Sequence, residues 1–242
     1  MTKLAVGFTQ QVQLQWLEWA AQLATSGIPA SEAREELQIR LRPIVSVGGD
    51  DNRSNRGKVV GILMKTWLAP PRQLAAFHRE AIDLFASVPK DHHVALHWGM
   101  AMVVYPFFGM VVDTVGRLLT LQGTVNLAPV VRRAQEVYGQ RKSIERGTER
   151  AFYTLHDWGV IKKAQQFGIY NASPHRHIED QRLTLWLLEA ALISKDIQTI
   201  PWKAAWKQPS LFHFSLDTAE PPVDSRLEIV RQGLHNDVIV RR

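Results

Sequence analysis

The sequence predicts a mainly α-helical chain: a helical N-terminal bundle, then a winged helix-turn-helix, then a small C-terminal β element. Three observations predict it. Apolar residues recur at helical spacing in successive segments bounded by Pro or Gly through the first half. Residues 130–170 run as helix, glycine turn, helix and basic hairpin. Strand-like alternation dominates only near the C-terminus. The expected units are a helical bundle over 1–123, a winged helix-turn-helix over 124–195 and a β-rich extension over 196–242 packed on the rest.

Taken in order, Thr9 is placed to cap a first helix reaching Thr25, with Val12, Trp16, Trp19, Ala20 and Leu23 on one side and Gly27 closing it. Pro29 and Ser31 open a second helix that turns Leu37 and Leu41 inward and stops at Pro43. The polar loop over 46–58 ends in Gly57-Lys58, as a phosphate-cradling loop does. Asn52 stands where that loop needs its first glycine and Val59 where it needs Ser or Thr for magnesium, so nucleotide binding is not expected. Arg53, Arg56 and Lys58 are placed to meet a backbone phosphate at the start of a helix over 56–68. After Pro70-Pro71, the spacing of Leu74, Phe77, Ala81, Leu84 and Phe85 predicts a helix over 73–88, closed by Pro89.

Residues 94–112 are nineteen positions without a formal charge, which touches the length needed to cross a bilayer. Pro106 beyond the middle and His97 within the run argue for buried core instead. His93 and His97 lie four apart on one helix face beside Asp91 and His92, a spacing able to grip a metal. A zinc-protease helix needs Glu directly after the first histidine, where Val94 stands, and no third ligand is evident. Satisfied or surface histidines are expected there, and likewise for His175 and His177 in a Pro-containing loop; no metal site is expected.

The run over 130–170 carries the functional argument. Val130, Ala134 and Val137 form a helical stripe ending at Tyr138-Gly139. Ser143 is a good cap for a second helix with Ile144, Ala151, Phe152, Leu155 and Trp158 inward, stopped by Gly159. Arg146, Glu149, Arg150 and Tyr153 share its other face at i, i+3, i+4 and i+7. Such a face suits a DNA groove, because arginine pairs with guanine through two bonds, glutamate accepts from cytosine, and Arg or Tyr holds phosphate. Two short β-prone runs follow over 160–170, with Lys162, Lys163 and a turn glycine, as in a wing.

From Arg132 to Lys163, eight Lys or Arg (Arg132, Arg133, Arg141, Lys142, Arg146, Arg150, Lys162, Lys163) stand against four acids (Glu136, Glu145, Glu149, Asp157), an excess of four within a chain of formal charge +6. Neutralising phosphates is the main sequence-independent source of nucleic-acid affinity, so charge gathered on this pattern points to DNA. The expected DNA-binding residues are Arg141, Lys142, Ser143, Arg146, Glu149, Arg150, Tyr153, Lys162 and Lys163. The competing reading is a charged face that is merely solvated.

A helix over 179–193 presents Leu183, Trp186, Leu187, Ala190 and Leu192 and is expected to pack on the winged unit. Trp202 and Trp206 straddle a short basic helix or turn. Alternation then predicts a strand over 211–216 and two more over 227–240, joined around 233–237.

At 45 % hydrophobic content, 242 residues are enough to bury a sizeable core. The absence of cysteine excludes disulfides, thiolate metal sites and cysteine nucleophiles, and fits a reducing compartment. The N-terminus shows no signal-peptide pattern, so a cytoplasmic location is expected. No Ser/His/Asp or paired-carboxylate constellation stands out, and neither an enzyme, a cofactor nor a small-molecule substrate is expected.

An all-helical first half is followed by Leu155-His156-Asp157-Trp158-Gly159-Val160, then by Leu227-Glu228-Ile229-Val230-Arg231-Gln232-Gly233-Leu234 and Val238-Ile239-Val240. This order resembles the BrxA family of BREX phage-defence systems, loosely over most of the chain and specifically in those two motifs. The resemblance implies a NusB-like helical part, a winged helix and DNA binding without a known catalytic site. The expected function is that of a non-enzymatic double-stranded-DNA-binding accessory protein whose further partners are other defence-system subunits. One alternative is a structural adaptor gripping other subunits through its winged helix, with Trp16, Trp19, Trp202 or Trp206 serving if exposed. Another is a membrane-associated protein using residues 94–112.

Overall fold

Pro106 decides the path of the uncharged middle of the chain. In the computed structural model, which describes residues 6–45, 53–223, 225–231 and 237–242, helices α5 (His93–Val104) and α6 (Pro106–Gln122) meet at Tyr105. Proline has no N–H to donate to the preceding turn, and the axis bends there by 119°. Every α5 residue from Val94 to Val104 is buried. Among the described residues no single helix is long and apolar enough to cross a membrane.

Around α5 pack α1 (Leu14–Thr25), α4 (Ala75–Ser87) and α9 (Gln181–Ser194), with α2 (Ala30–Leu41) and α3 (Asn55–Leu63) outside them. The first helix does not start at Thr9 as the sequence suggests; Gln13 occupies the N-cap in extended backbone. The preceding segment is occupied elsewhere: Val12 N donates to Thr154 Oγ1 at 3.2 Å, and Trp158 Nε1 donates to Val12 O at 2.8 Å. Phe8 in that segment is buried against Tyr105 and Phe108.

Ser54 caps α3, accepting from Gly57 N at 2.9 Å, and the helix passes at Met64–Leu68 into a π turn. Arg56 is not a phosphate ligand in waiting. It is 3 % exposed and donates to Gln38 Oε1 at 3.1 Å and Val45 O at 3.2 Å, tying α3 to the end of α2. Residues 46–52 of the glycine-rich loop lie outside the described residues.

The expectation that α9 packs on the winged unit is corrected: it lies chiefly along α5, with Trp186 stacked on Phe77 of α4 at 4.5 Å and donating to Phe77 O at 3.1 Å. Apolar residues cover this helix almost all round. Leu183, Trp186 and Leu187 join the main core, while Leu188 and Leu192 join a second, smaller one with Ile200, Ala205, Leu227 and Ile239. The main core runs without a break from Phe8 to Phe214, taking in Val115 and Leu119 on one side of position 123 and Val125, Val130 and Phe152 on the other.

Among the described residues, three small sheets complete the fold. In the first, β1 (Thr124–Asn126) and β2 (Ile161–Lys163) flank β3 (Ile169–Ala172), both antiparallel to it. In the second, β4 (Arg176–Ile178) and β6 (Phe214–Leu216) pair in parallel. The third has the order β5-β8-β7, with β5 (Thr199–Pro201), β7 (Leu227–Arg231) and β8 (Asp237–Arg241), and Ile229 opposite Ile239. The loop around 233–237 that the sequence assigns to this hairpin falls mostly outside the described residues.

His177 thus sits in a strand rather than a loop, since β4 finds a partner far along the chain. Of the strand expected over 211–216 only the second half forms. Pro209–Leu211 is a short 3₁₀ turn lying on α6, where Gly116 leaves space for the Pro209 carbonyl. Arg226, just before β7, holds the C-terminal sheet to the bundle through Glu189 at 2.7 Å and Glu80 at 2.5 Å.

Candidate nucleic-acid interface

α7 (Leu127–Tyr138) ends where Gly139 takes φ +91°, and three residues later α8 (Lys142–Asp157) begins. Its N-cap is Arg141 in extended backbone, without a side-chain capping bond; Ser143 is therefore an exposed first-turn residue and not the cap. The Arg141 guanidinium instead donates back to Tyr138 O at 3.1 Å, across the turn. In α7, Val130 and Ala134 are buried, but Val137 is exposed, and the helix end is anchored by Tyr138 set edge-on to Phe107 at 5.0 Å. Burial pushes the Tyr138 phenol above its ordinary pKa.

One face of α8 is wholly interior: Ile144, Thr148, Ala151, Phe152 and Leu155 are buried, and Trp158 follows them in. Thr154 secures this face to the segment before α1, accepting from Val12 N and donating to Arg150 O. Gln11 reaches Asp157 at the same end. Phe152 meets Tyr170 of β3 edge-on at 5.1 Å, so the β2–β3 hairpin is fixed against the helix. Burial raises the Tyr170 phenol, and Tyr153 beside it adds to the rise.

The opposite face carries Arg146, Arg150 and Tyr153 in solvent, with Glu149 half-buried among them. Lys142 at the start of the helix and Lys162 and Lys163 on β2 are exposed as well. Among the described residues no hydrogen bond or ion pair engages the side chains of Lys142, Arg146, Arg150, Lys162 or Lys163. The nine residues singled out by sequence thus lie on one helix, the turn before it and the hairpin after it. Arg132 and Arg133, counted in the same charge excess, line a groove between α6 and α7, where Arg133 pairs with Glu136 at 3.0 Å.

Phe167 at the tip of the hairpin escaped the sequence reading. The available signal was an aromatic residue directly before a turn glycine in an otherwise polar stretch. Of the four tryptophans proposed for partner contact, Trp16 is buried, and Trp19, Trp202 and Trp206 are half-buried, Trp19 under the Arg40 guanidinium at 5.8 Å and Trp202 and Trp206 facing each other at 5.2 Å.

His93 and His97 do share a face, and both turn to Glu18 of α1: His93 Nδ1 and His97 Nε2 donate to Oε2 at 3.0 and 3.1 Å. Burial raises the Glu18 carboxyl, but the bonds and charge of the two histidines outweigh it and hold its pKa below the ordinary value. Burial lowers His97 against the pull of Glu18. Among the described residues no group of three or more His, Cys, Asp or Glu is arranged to hold a metal ion.

Comparison with protein-family models, with curated proteins and with solved structures finds no match to this chain.

Proposed function

We propose that α6, β1, α7, α8 and the β2–β3 hairpin form a winged helix and that the chain is a non-enzymatic protein binding double-stranded DNA. The carrying observation is the row of arginines on α8, Arg146 and Arg150, unpaired among the described residues and on the face opposite its buried side, with Lys162 and Lys163 exposed on the hairpin that follows the helix. In this reading α8 enters the major groove. Arg146, Glu149, Arg150 and Tyr153 face base edges, and Arg141, Lys142, Ser143, Lys162 and Lys163 lie on phosphates. The sheet order β1-β3-β2, with β1 between the first two helices of the unit, supports it.

Replacing Arg146 and Arg150 together with Ala is expected to leave the thermal transition nearly unchanged and to weaken duplex binding on the order of a hundredfold, as measured by fluorescence anisotropy. A folded double variant that binds as tightly as the parent would overturn the reading. The structural adaptor would then take its place. Its support is the groove between α6 and α7, lined by Met110, Leu118 and Leu121, where Leu121 is 74 % exposed.

The likeness of the two short motifs to the BrxA family supports an accessory role in phage defence as part of the same proposal. Genes for a DNA methyltransferase and an ATPase are expected beside this one. A neighbourhood without them would argue for ordinary transcriptional control.

A further inference from the structure

The turn joining β2 and β3 sets one aromatic ring entirely in water. Phe167 is 102 % exposed, although phenylalanine is among the residues most often buried. The exposure belongs to a well-bonded turn. Ala164 N donates to Ile169 O at 2.9 Å, and Ile169 N donates to Gln166 O at 3.2 Å. The second bond closes a four-residue turn in which Gly168 takes φ +75°, the left-handed value that a type II turn needs at its third residue. Phe167 occupies the second position of this turn and is held beyond the end of the sheet.

The chemistry around the ring favours nucleic acid over a protein pocket. Residues 161–172 contain Lys162 and Lys163 and no acid, and the two residues before the ring are the exposed amides Gln165 and Gln166. Proteins that enter the minor groove combine amide and cationic side chains with an apolar wedge, phenylalanine among them, driven between base pairs.

We infer that Phe167 is such a wedge. The tip of the hairpin enters the minor groove of duplex DNA, Gln165 and Gln166 meet base edges there, and the phenyl ring unstacks one base step and kinks the duplex. This rests on the DNA-binding reading above and adds to it a deformation of the partner.

The test uses the full chain and a short mixed-sequence duplex carrying a fluorescent donor and acceptor at its ends, so that affinity and end-to-end distance come from one titration. The parent is expected to bind and to draw the ends together. Phe167→Ala should keep the parent's thermal transition, bind roughly tenfold more weakly and leave the ends apart. Phe167→Leu, which restores an apolar wedge, should restore the bend. Binding by the parent without bending, or equal bending by Phe167→Ala, overturns the wedge while leaving the reading of α8 intact. Failure of the parent to bind any duplex overturns both, and the ring then belongs to a protein contact.

Discussion

His213 is 3 % exposed, its ring lies against Trp98 at 6.3 Å, and among the described residues neither of its nitrogens has a partner. Burial holds its pKa down to about 4, and the charges of Arg176 and His175 push the same way. In the unfolded chain the imidazole takes a proton at its ordinary 6.5. Between those values the unfolded state binds more protons, so stability is lost as pH falls through this window. One such group contributes at most about 1.4 kcal/mol per pH unit. His97 and His78, which burial also lowers, act in the same direction. His213→Phe keeps the ring and removes the proton site. Its urea midpoint is expected to drop less than the parent's between about pH 7 and about pH 5. Identical drops in the two proteins would show that His213 takes no part.

At the scale of elements, close approach decides more than helix propensity. A Cβ on Gly116 of α6 would lie 1.9 Å from the Pro209 carbonyl, a backbone atom that cannot swing aside as a side chain can. A Cβ on Gly61 of α3 would meet nothing within 4 Å beyond its own stretch of helix backbone. Gly116→Ala is therefore expected to cost about 1–3 kcal/mol or more through overpacking. Gly61→Ala should be neutral or stabilise by up to about 1 kcal/mol, because alanine is the better helix former. Chemical denaturation of the two variants checks both. Equal stabilities would mean that α6 does not rest on the Pro209–Leu211 turn.

For the whole molecule the useful quantity is where the charge lies. The excess counted over 132–163 includes Arg133, which is paired with Glu136, so on the DNA-binding reading the side chains left for phosphates are Arg132 of α7 and those of α8, the turn before it and the hairpin. With about five to eight phosphate contacts, the log-log slope of duplex affinity against salt is expected at about −4 to −7. Replacing Lys162 and Lys163 together with Ala should weaken binding to all sequences alike and reduce that slope by about two. An unchanged slope would take the hairpin off the DNA backbone.

Features that depend on neighbours along the chain are already set by the local pattern of residues. The break at Pro106, the end of α7 at Gly139, the buried and exposed faces of α8 and the hairpin after it follow from local periodicity, missing donors and turn residues. The candidate interface was legible for the same reason, since one helix, one turn and one hairpin are contiguous. Tertiary structure alone decided the rest. Thr9 is a good cap, yet the Val12 backbone is taken by Thr154 and Trp158, over 140 positions away, so α1 starts later. Arg56 looks like a cation for phosphate but is buried on Gln38 and Val45. α9 is apolar almost all round, and no periodicity told which side meets α5 and which meets the C-terminal sheet. β4 became a strand only because β6 lies beside it. In each case the deciding partner is distant in sequence, and a local pattern carries no information about which distant group will satisfy a donor, a charge or an apolar face.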